Sequence, residues 1–90
     1  MIAAEYFEDG ARFVVEPQHG RRVVFDVRLR DARIGSGWHK RREQRFVVGL
    51  AGSDGEGFSH HVSYDAAVKR ALSRARRYER AYARPFRSAS

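Results

Sequence analysis

The residues from Ser63 to Arg84 constrain the fold of this 90-residue chain more than any other stretch, because they predict one long two-sided helix. Ser63 suits an N-cap, Asp65 places a negative charge in the first turn, and Pro85 follows the predicted end. At a period of 3.6 residues, the apolar side chains fall on one side, and they are Val68, Ala71, Leu72, Ala75, Tyr78 and Tyr82. The cations fall on the other side, and they are Lys69, Arg70, Arg74, Arg76, Arg77, Arg80 and Arg84. The rest of the chain must therefore supply an apolar surface for this helix.

Alternation of apolar and polar residues predicts that this surface is a sheet. The predicted strands cover residues 2–7, 12–16, 21–30, 45–50 and 58–62. Turn residues separate the strands, as in Glu8-Asp9-Gly10 and in the segment 51–57, AGSDGEG. The segment 31–42, DARIGSGWHKRR, breaks the alternation and predicts a loop or a long hairpin tip.

The order of these elements predicts an α+β fold. We expect a four- to five-stranded antiparallel sheet followed by one long C-terminal amphipathic helix packed on one face. Residues 1–84 would form a single domain, and residues 85–90 a flexible tail. The face that the helix covers would hold Phe13, Val15, Val23, Phe25, Val27, Leu29, Phe46, Val48 and Leu50.

The opposite face of the sheet is predicted to be rich in arginine. By strand parity it carries Arg12, Arg22, Arg28, Arg30, Arg41 and Arg45. Glu16, Asp26 and Glu43 dilute this charge, and Val14, Val24 and Val47 lie between the charged residues. Such a face fits nucleic acid, because a β-ribbon enters the major groove and arginine reaches guanine edges or phosphates. A solvated face that charge keeps soluble is the alternative.

Net charge supports an anionic partner. The chain has 18 Lys and Arg against 11 Asp and Glu, a net charge of +7, and sixteen of those cations are arginine. Residues 1–20 carry four carboxylates against Arg12, so the basic character belongs to the middle of the chain and to the helix. Polyanions are the natural partners of such a chain, and arginine forks suit phosphates. A genome that favours arginine codons is an alternative cause of the bias.

The segment from Gly35 to Arg42 is the predicted contact loop, because an aromatic residue and several cations follow two glycines. Trp38 would stack on a base or wedge into a groove, or else fold back as a core anchor. The residues expected to contact nucleic acid are Arg22, Arg28, Arg30, Trp38, His39, Lys40, Arg41, Arg42 and Arg45. A secondary basic surface on the helix would comprise Arg70, Arg74 and Arg77, although an ordinary solvated helix face is the competing interpretation.

Catalysis and cofactor binding have little support in the sequence. The chain has no cysteine, no phosphate-binding glycine motif and no paired carboxylates placed for acid/base work. His60 and His61 are adjacent in a predicted strand, so they point to opposite faces and do not chelate one metal together. His60 is expected to be a hydrogen-bonded core or edge residue. We therefore expect a cytoplasmic protein that is not an enzyme, without cofactor or metal and without a signal peptide or membrane span.

The segment from Phe58 to Ala75 runs from a strand through a Ser cap into an alanine-rich helix. This order resembles the small sheet-plus-helix DNA-binding domains of phage-type integrases and of plant ethylene-response factors. The resemblance covers roughly residues 21–80 and lies in element order, not in a signature motif. It implies that an exposed sheet face enters the major groove, with Arg22, Arg28 and Arg30 on one strand and Arg41 and Arg45 on the next.

Three departures separate this chain from that resemblance: an acidic N-terminal hairpin, the long AGSDGEG insert and the absence of a following catalytic domain. A strand-rich start followed by a helix is also similar to dimeric single-strand-binding transcriptional coactivators. It resembles double-stranded-RNA-binding domains less, because that family opens with a helix.

The sequence predicts a small nucleic-acid-binding protein that acts as a stand-alone regulator, with double-stranded DNA as the favoured partner. A cofactor-free inhibitor or adaptor, of the kind that phages encode, is the alternative, and its arginines would dock on an acidic protein surface. The valines of the open face make a homodimer a further expectation. DNA and RNA are not distinguished at this level.

Overall fold

The computed structural model describes residues 1–35, 37–39, 41–52 and 58–83. The strands are β1 (Ile2–Phe7), β2 (Gly10–Val15), β3 (Val23–Ile34), β4 (Arg41–Leu50) and β5 (Ser59–His61). A 3-10 turn (Gly37–His39) lies between β3 and β4, and the helix α1 (Tyr64–Ala81) follows β5. A five-stranded antiparallel sheet followed by a C-terminal helix confirms the predicted α+β fold.

The sheet is a meander in which each strand pairs with the next along the chain, in the order β1-β2-β3-β4-β5. The register places Phe13 opposite Phe25, and Val27 opposite Val48. Since side chains alternate along a strand, this register puts the predicted apolar residues of three strands on one face. The parity that separates the helix-covered face from the open face is confirmed.

Helix α1 packs on that apolar face with its smallest side chains. Ala67, Ala71 and Ala75 are completely buried, in one cluster with Phe13 and Val48. Larger side chains, among them Val68, Leu72 and Tyr78, pack around the rim of this cluster. Because alanine extends so little from the backbone, the helix axis can approach the sheet closely, and the volume of the core comes from the strands.

The ends of α1 are fixed by hydrogen bonds to the strands. Ser63 is extended and its Oγ accepts a hydrogen bond from the Ala66 amide, as a helix cap does. The Tyr64 hydroxyl donates to the Gly10 carbonyl at 2.8 Å, and the Tyr78 hydroxyl donates to the Arg21 carbonyl at 2.8 Å. The helix ends at Ala81, three residues before the predicted end, and residues 84–90, with the expected tail, lie outside the described part of the chain.

The segment 31–42, predicted as a loop or a long hairpin tip, is the end of a long hairpin. Strand β3 continues to Ile34 and β4 starts at Arg41, with Arg33 opposite Arg42. β2 pairs with β3 only as far as Arg28, and β5 pairs with β4 only from Phe46 onward. Residues 30–45 therefore project as a two-stranded ribbon, called here the β3–β4 arm. The alternative of a loop is wrong for residues 31–34 and 41–42, and it arose because residues 41–45, RREQR, are all polar and show no apolar alternation.

The close packing of α1 predicts that a larger side chain at its centre destabilises the fold. Ala71→Leu should lower the free energy of unfolding by about 1–3 kcal/mol, because the added atoms force the helix away from the sheet. Ala66→Leu is the matched control, since Ala66 is exposed on the same helix, and it should change stability by less than about 0.5 kcal/mol. Urea unfolding of both variants measures this difference, and equal effects would contradict the close helix packing.

Candidate functional site

Four of the six arginines predicted on the open face form ion pairs, whereas Arg12 and Arg30 form none within the described residues. Arg28 Nε lies 3.0 Å from a carboxylate oxygen of Asp26, which is only 8% exposed. Arg22 Nε lies 3.4 Å from Glu16, just outside the strands. These pairs lower the net charge of this part of the face, so it is less basic than the count of arginines suggests.

Glu43 forms the centre of a second ion-pair group on the same face. Its carboxylate accepts a hydrogen bond from Arg45 and lies 2.5 Å from Nε of Arg41. The hydrogen bond from Arg45 lowers the pKa of Glu43 most; desolvation opposes this shift, and the charge of Arg41 adds to it. Arg45 also donates to the Gln44 carbonyl at 2.9 Å. The guanidinium groups of Arg45, at the base of the arm, and of Arg41, nearer its tip, are thereby held in fixed positions.

Three other arginines of the β3–β4 arm are exposed and form no ion pair with any residue that the structure describes: Arg30, Arg33 and Arg42. Arg30 lies on the open-face side of the ribbon, whereas Arg33 and Arg42 lie opposite one another on its other side. By sequence the arm carries six cations against two carboxylates, a net charge of +4. Unpaired positive charge is thus present on both faces of a projecting ribbon.

The tip of the arm presents the single tryptophan of the chain to solvent. Trp38 lies in the 3-10 turn and is 99% exposed. Gly37, just before it, has a φ of +60°, which glycine adopts without strain. The alternative that Trp38 folds back as a core anchor is therefore wrong. Of its predicted neighbours, Lys40 and the side chain of His39 lie outside the described residues.

The residues that the sequence predicted to form one contact site lie in different parts of the structure. Arg41 and Arg42 belong to β4 instead of a loop, and they point to opposite faces of the ribbon. Arg22 and Arg28 lie outside the arm, beside the acidic partners already described. Arg33 is a candidate contact that the sequence analysis did not select. The pairing of Arg33 with Arg42 would have been found by extending the strand register past Arg30.

The helix carries a second group of cations on the other side of the sheet. Arg70 and Arg77 are exposed as expected, whereas Arg74 is half-buried with its guanidinium 4.3 Å from the centre of the Phe58 ring. Burial lowers the pKa of Arg74 most, and the charges of Arg70 and Arg77 lower it further. The Nε atom of Arg74 has no hydrogen-bond partner within the described structure. Arg74 is therefore a packing residue more than a free contact.

The two adjacent histidines point to opposite faces of the sheet, since His60 pairs with Val47 and His61 with Phe46. It is His61, not His60, that is half-buried and bonded, with its Nε2 atom 2.8 Å from the Ser59 Oγ. His60 is exposed on the edge strand β5, so of its two expected positions the core is wrong and the edge is confirmed. Among the residues that the structure describes, no three His, Asp or Glu side chains come close enough to hold a metal ion.

Comparisons with known proteins find no match, so a functional proposal has to rest on the site itself. No protein-family model matches the chain, and no curated protein or solved structure is significantly similar to it. The similarity to integrase and ethylene-response-factor domains therefore stays a prediction from element order. Within the described residues, no helix is both long enough and apolar enough to cross a bilayer.

The environment of His61 predicts a loss of stability in mild acid. Burial lowers the pKa of His61 below its ordinary value of 6.5, and Arg70 and His60 lower it further. The unfolded chain then binds more protons than the folded one, so stability is full above pH ~6.5 and falls as the pH drops toward the folded pKa.

Thermal unfolding between about pH 7.5 and 5.5 measures this effect. The wild-type melting temperature should fall across that range, and His61→Gln should flatten the dependence. His60→Gln, at the exposed neighbouring position, is the matched control and should keep the wild-type slope. An unchanged slope in His61→Gln would contradict the assignment, since Glu43 titrates in a lower range.

Proposed function

We propose that this protein binds double-stranded DNA through the β3–β4 arm and acts as a small regulator. One observation carries the proposal: a two-stranded ribbon projects from the sheet with unpaired arginines on both of its faces. Ion pairs hold most arginines of the open face, whereas the arm keeps three exposed arginines that form no ion pair in the described part of the chain. A polyanion that lies against both faces of the arm would contact these unpaired arginines.

The major groove of DNA offers that geometry. It is about 12 Å wide and admits a two-stranded β-ribbon, with phosphates along both of its walls. Arg30 and Arg33 lie on opposite faces of β3, so in such a groove they face opposite walls. A ribbon that lay flat on one phosphate backbone would use one face alone. Cations on both faces therefore favour an inserted arm over a flat sheet contact.

The ion-paired arginines have a different part in this proposal. Glu43 holds Arg41 and Arg45 in place, so their guanidinium groups lose little freedom when they meet a partner. Arg41 and Arg45 lie on the same face of the ribbon as Arg30, so in an inserted arm all three would face one phosphate wall, and base contacts would come from the tip at Trp38.

The first test compares two triple variants that each remove three positive charges. Arg30→Gln, Arg33→Gln and Arg42→Gln together should weaken duplex binding at about 100 mM salt on the order of tenfold or more, and should reduce the log–log salt slope by about one unit per residue. Fluorescence anisotropy of labelled duplex DNA at about 50 and 200 mM salt measures both quantities.

The matched control changes Arg76, Arg77 and Arg80 of α1 to glutamine, which has a helix propensity close to that of arginine. This variant should bind one duplex with less than about a threefold loss. Equal losses in both variants would show that only total charge matters, and the arm would not be the site. Duplex RNA and single-stranded DNA serve as competitors, and absence of binding to any of them would favour an acidic protein partner.

The fluorescence of Trp38 provides a second, independent test of binding by the arm. An exposed indole that stacks on or between bases should lose fluorescence when duplex DNA is added, and it reports from the tip because it is the single tryptophan. Trp38→Ala should cost about 1–3 kcal/mol of binding free energy. Trp38→Phe should restore part of it, since a smaller aromatic ring still stacks.

Melting of both Trp38 variants is the control. Their stability should equal that of the wild type, because Trp38 is almost wholly solvated and contributes nothing to the core. Unchanged fluorescence at saturating DNA would show that the tip does not reach the bases, even if the arginines of the arm bind phosphates.

A further inference from the structure

The positive charge of this protein is divided between two separate elements. The arm, residues 30–45, has a net charge of +4, and α1 carries six cations against two carboxylates, also a net charge of +4. The remaining 56 residues have a net charge of −1, which follows from the total of +7. The molecule is therefore not uniformly basic, and its two basic elements are joined by a slightly acidic body.

The two basic elements lie at different ends of the molecule. The N-terminus of α1 lies near the base of the arm, where the rings of Tyr64 and Phe46 are 5.7 Å apart. From there the helix runs along the sheet toward Arg21, which the Tyr78 hydroxyl contacts. At 1.5 Å per residue, Arg80 is about 24 Å further along the helix axis than Tyr64. The protein is elongated, with a longest dimension of 52 Å.

Arg76, Arg77 and Arg80 form the outer surface of α1 at the end remote from the arm, and this surface is called the helix patch. All three are exposed, and none forms an ion pair within the described structure. Arg76 and Arg80 are four residues apart, and Arg77 and Arg80 three, so like charges are neighbours on the helix and repel one another. The helix dipole favours a cation near the C-terminus, which accounts for Arg80 but not for the whole patch.

DNA held by the arm does not offset this repulsion. Charges more than about 10 Å apart in water are largely screened at 0.1 M salt, and the helix patch lies about 18–24 Å along the helix axis from Tyr64, near the base of the arm. The sheet also separates the outer surface of α1 from the open face. An anion that stabilises the helix patch must therefore be a separate one, and a second segment of the same polyanion is the partner that this charge fits.

We propose that the protein bridges two segments of double-stranded DNA, one held by the arm and the other by the helix patch. This inference rests on the proposed function, because it takes DNA binding by the arm as given. Each duplex repels the other, and a protein with cations at both ends of an elongated body reduces that repulsion when it lies between them. The bridge needs one copy of the chain, since its two binding surfaces belong to the same molecule.

Energy transfer between two duplexes tests the bridge. A donor-labelled and an acceptor-labelled duplex of the same sequence are mixed with the full chain at about 50 mM salt, and anisotropy of one duplex alone is measured in parallel. Transfer should rise with protein, pass through a maximum and fall when excess protein occupies each duplex separately. In the helix-patch variant, Arg76, Arg77 and Arg80 are changed to glutamine. Its energy transfer should be about tenfold lower than that of the wild type, whereas its affinity for one duplex should fall less than about threefold.

The other outcomes separate the two proposals. Binding of one duplex without energy transfer overturns the bridge and leaves DNA binding by the arm in place. Full transfer in the helix-patch variant also overturns it, because two arms of a homodimer would then hold the two duplexes. An equal loss of affinity for one duplex in the arm and helix-patch variants would overturn both the bridge and the arm as the binding site, because only total charge would then matter. Failure of the wild type to bind any duplex would overturn the proposed function and the bridge together.

Discussion

The packing of three alanines of α1 against one face of the sheet is the interaction on which the rest of the structure depends. Ala67, Ala71 and Ala75 have no exposed surface, and the strand residues beneath them fill the core. Because one helix covers only one face, the other face stays open to solvent. Strands β3 and β4 extend further than α1, so their ends continue past the helix as an uncovered ribbon.

That uncovered ribbon changes how the charge of the chain is interpreted. Six arginines on the open face suggest a broad basic surface, but Asp26 and Glu43 neutralise much of it through close ion pairs. These close ion pairs order the face without making it strongly positive. On the arm, Arg30, Arg33 and Arg42 form no ion pair with any described residue. Unpaired charge and shape, and not the number of arginines, therefore support the proposed binding.

The same distinction applies to the helix. Arg74 packs over Phe58 and its Nε atom makes no hydrogen bond within the described structure, so its main contact is with the aromatic ring. The outermost arginines of α1 have no such contact, and their mutual repulsion costs helix stability. Two basic elements separated by an acidic body give the molecule two poles. The elongated fold keeps these two poles apart, which is the basis of the proposed bridge.

Local sequence patterns determined the elements of this protein, and tertiary structure decided the site. Alternation in β3 and the 3.6-residue period of α1 predicted which side chains are buried, because each pattern reflects one buried face. The ion pairs of Glu43, the half-buried position of Arg74 and the exposure of Trp38 depend on strand register and on how far the helix reaches. Residues 31–34 and 41–42 were predicted as a loop or a long hairpin tip, and only strand pairing showed that they extend β3 and β4, because residues 41–45 are all polar and give no hydrophobic period. The sequence thus determined that the chain is basic and two-layered, and only the folded structure decided where its positive charge stays unpaired.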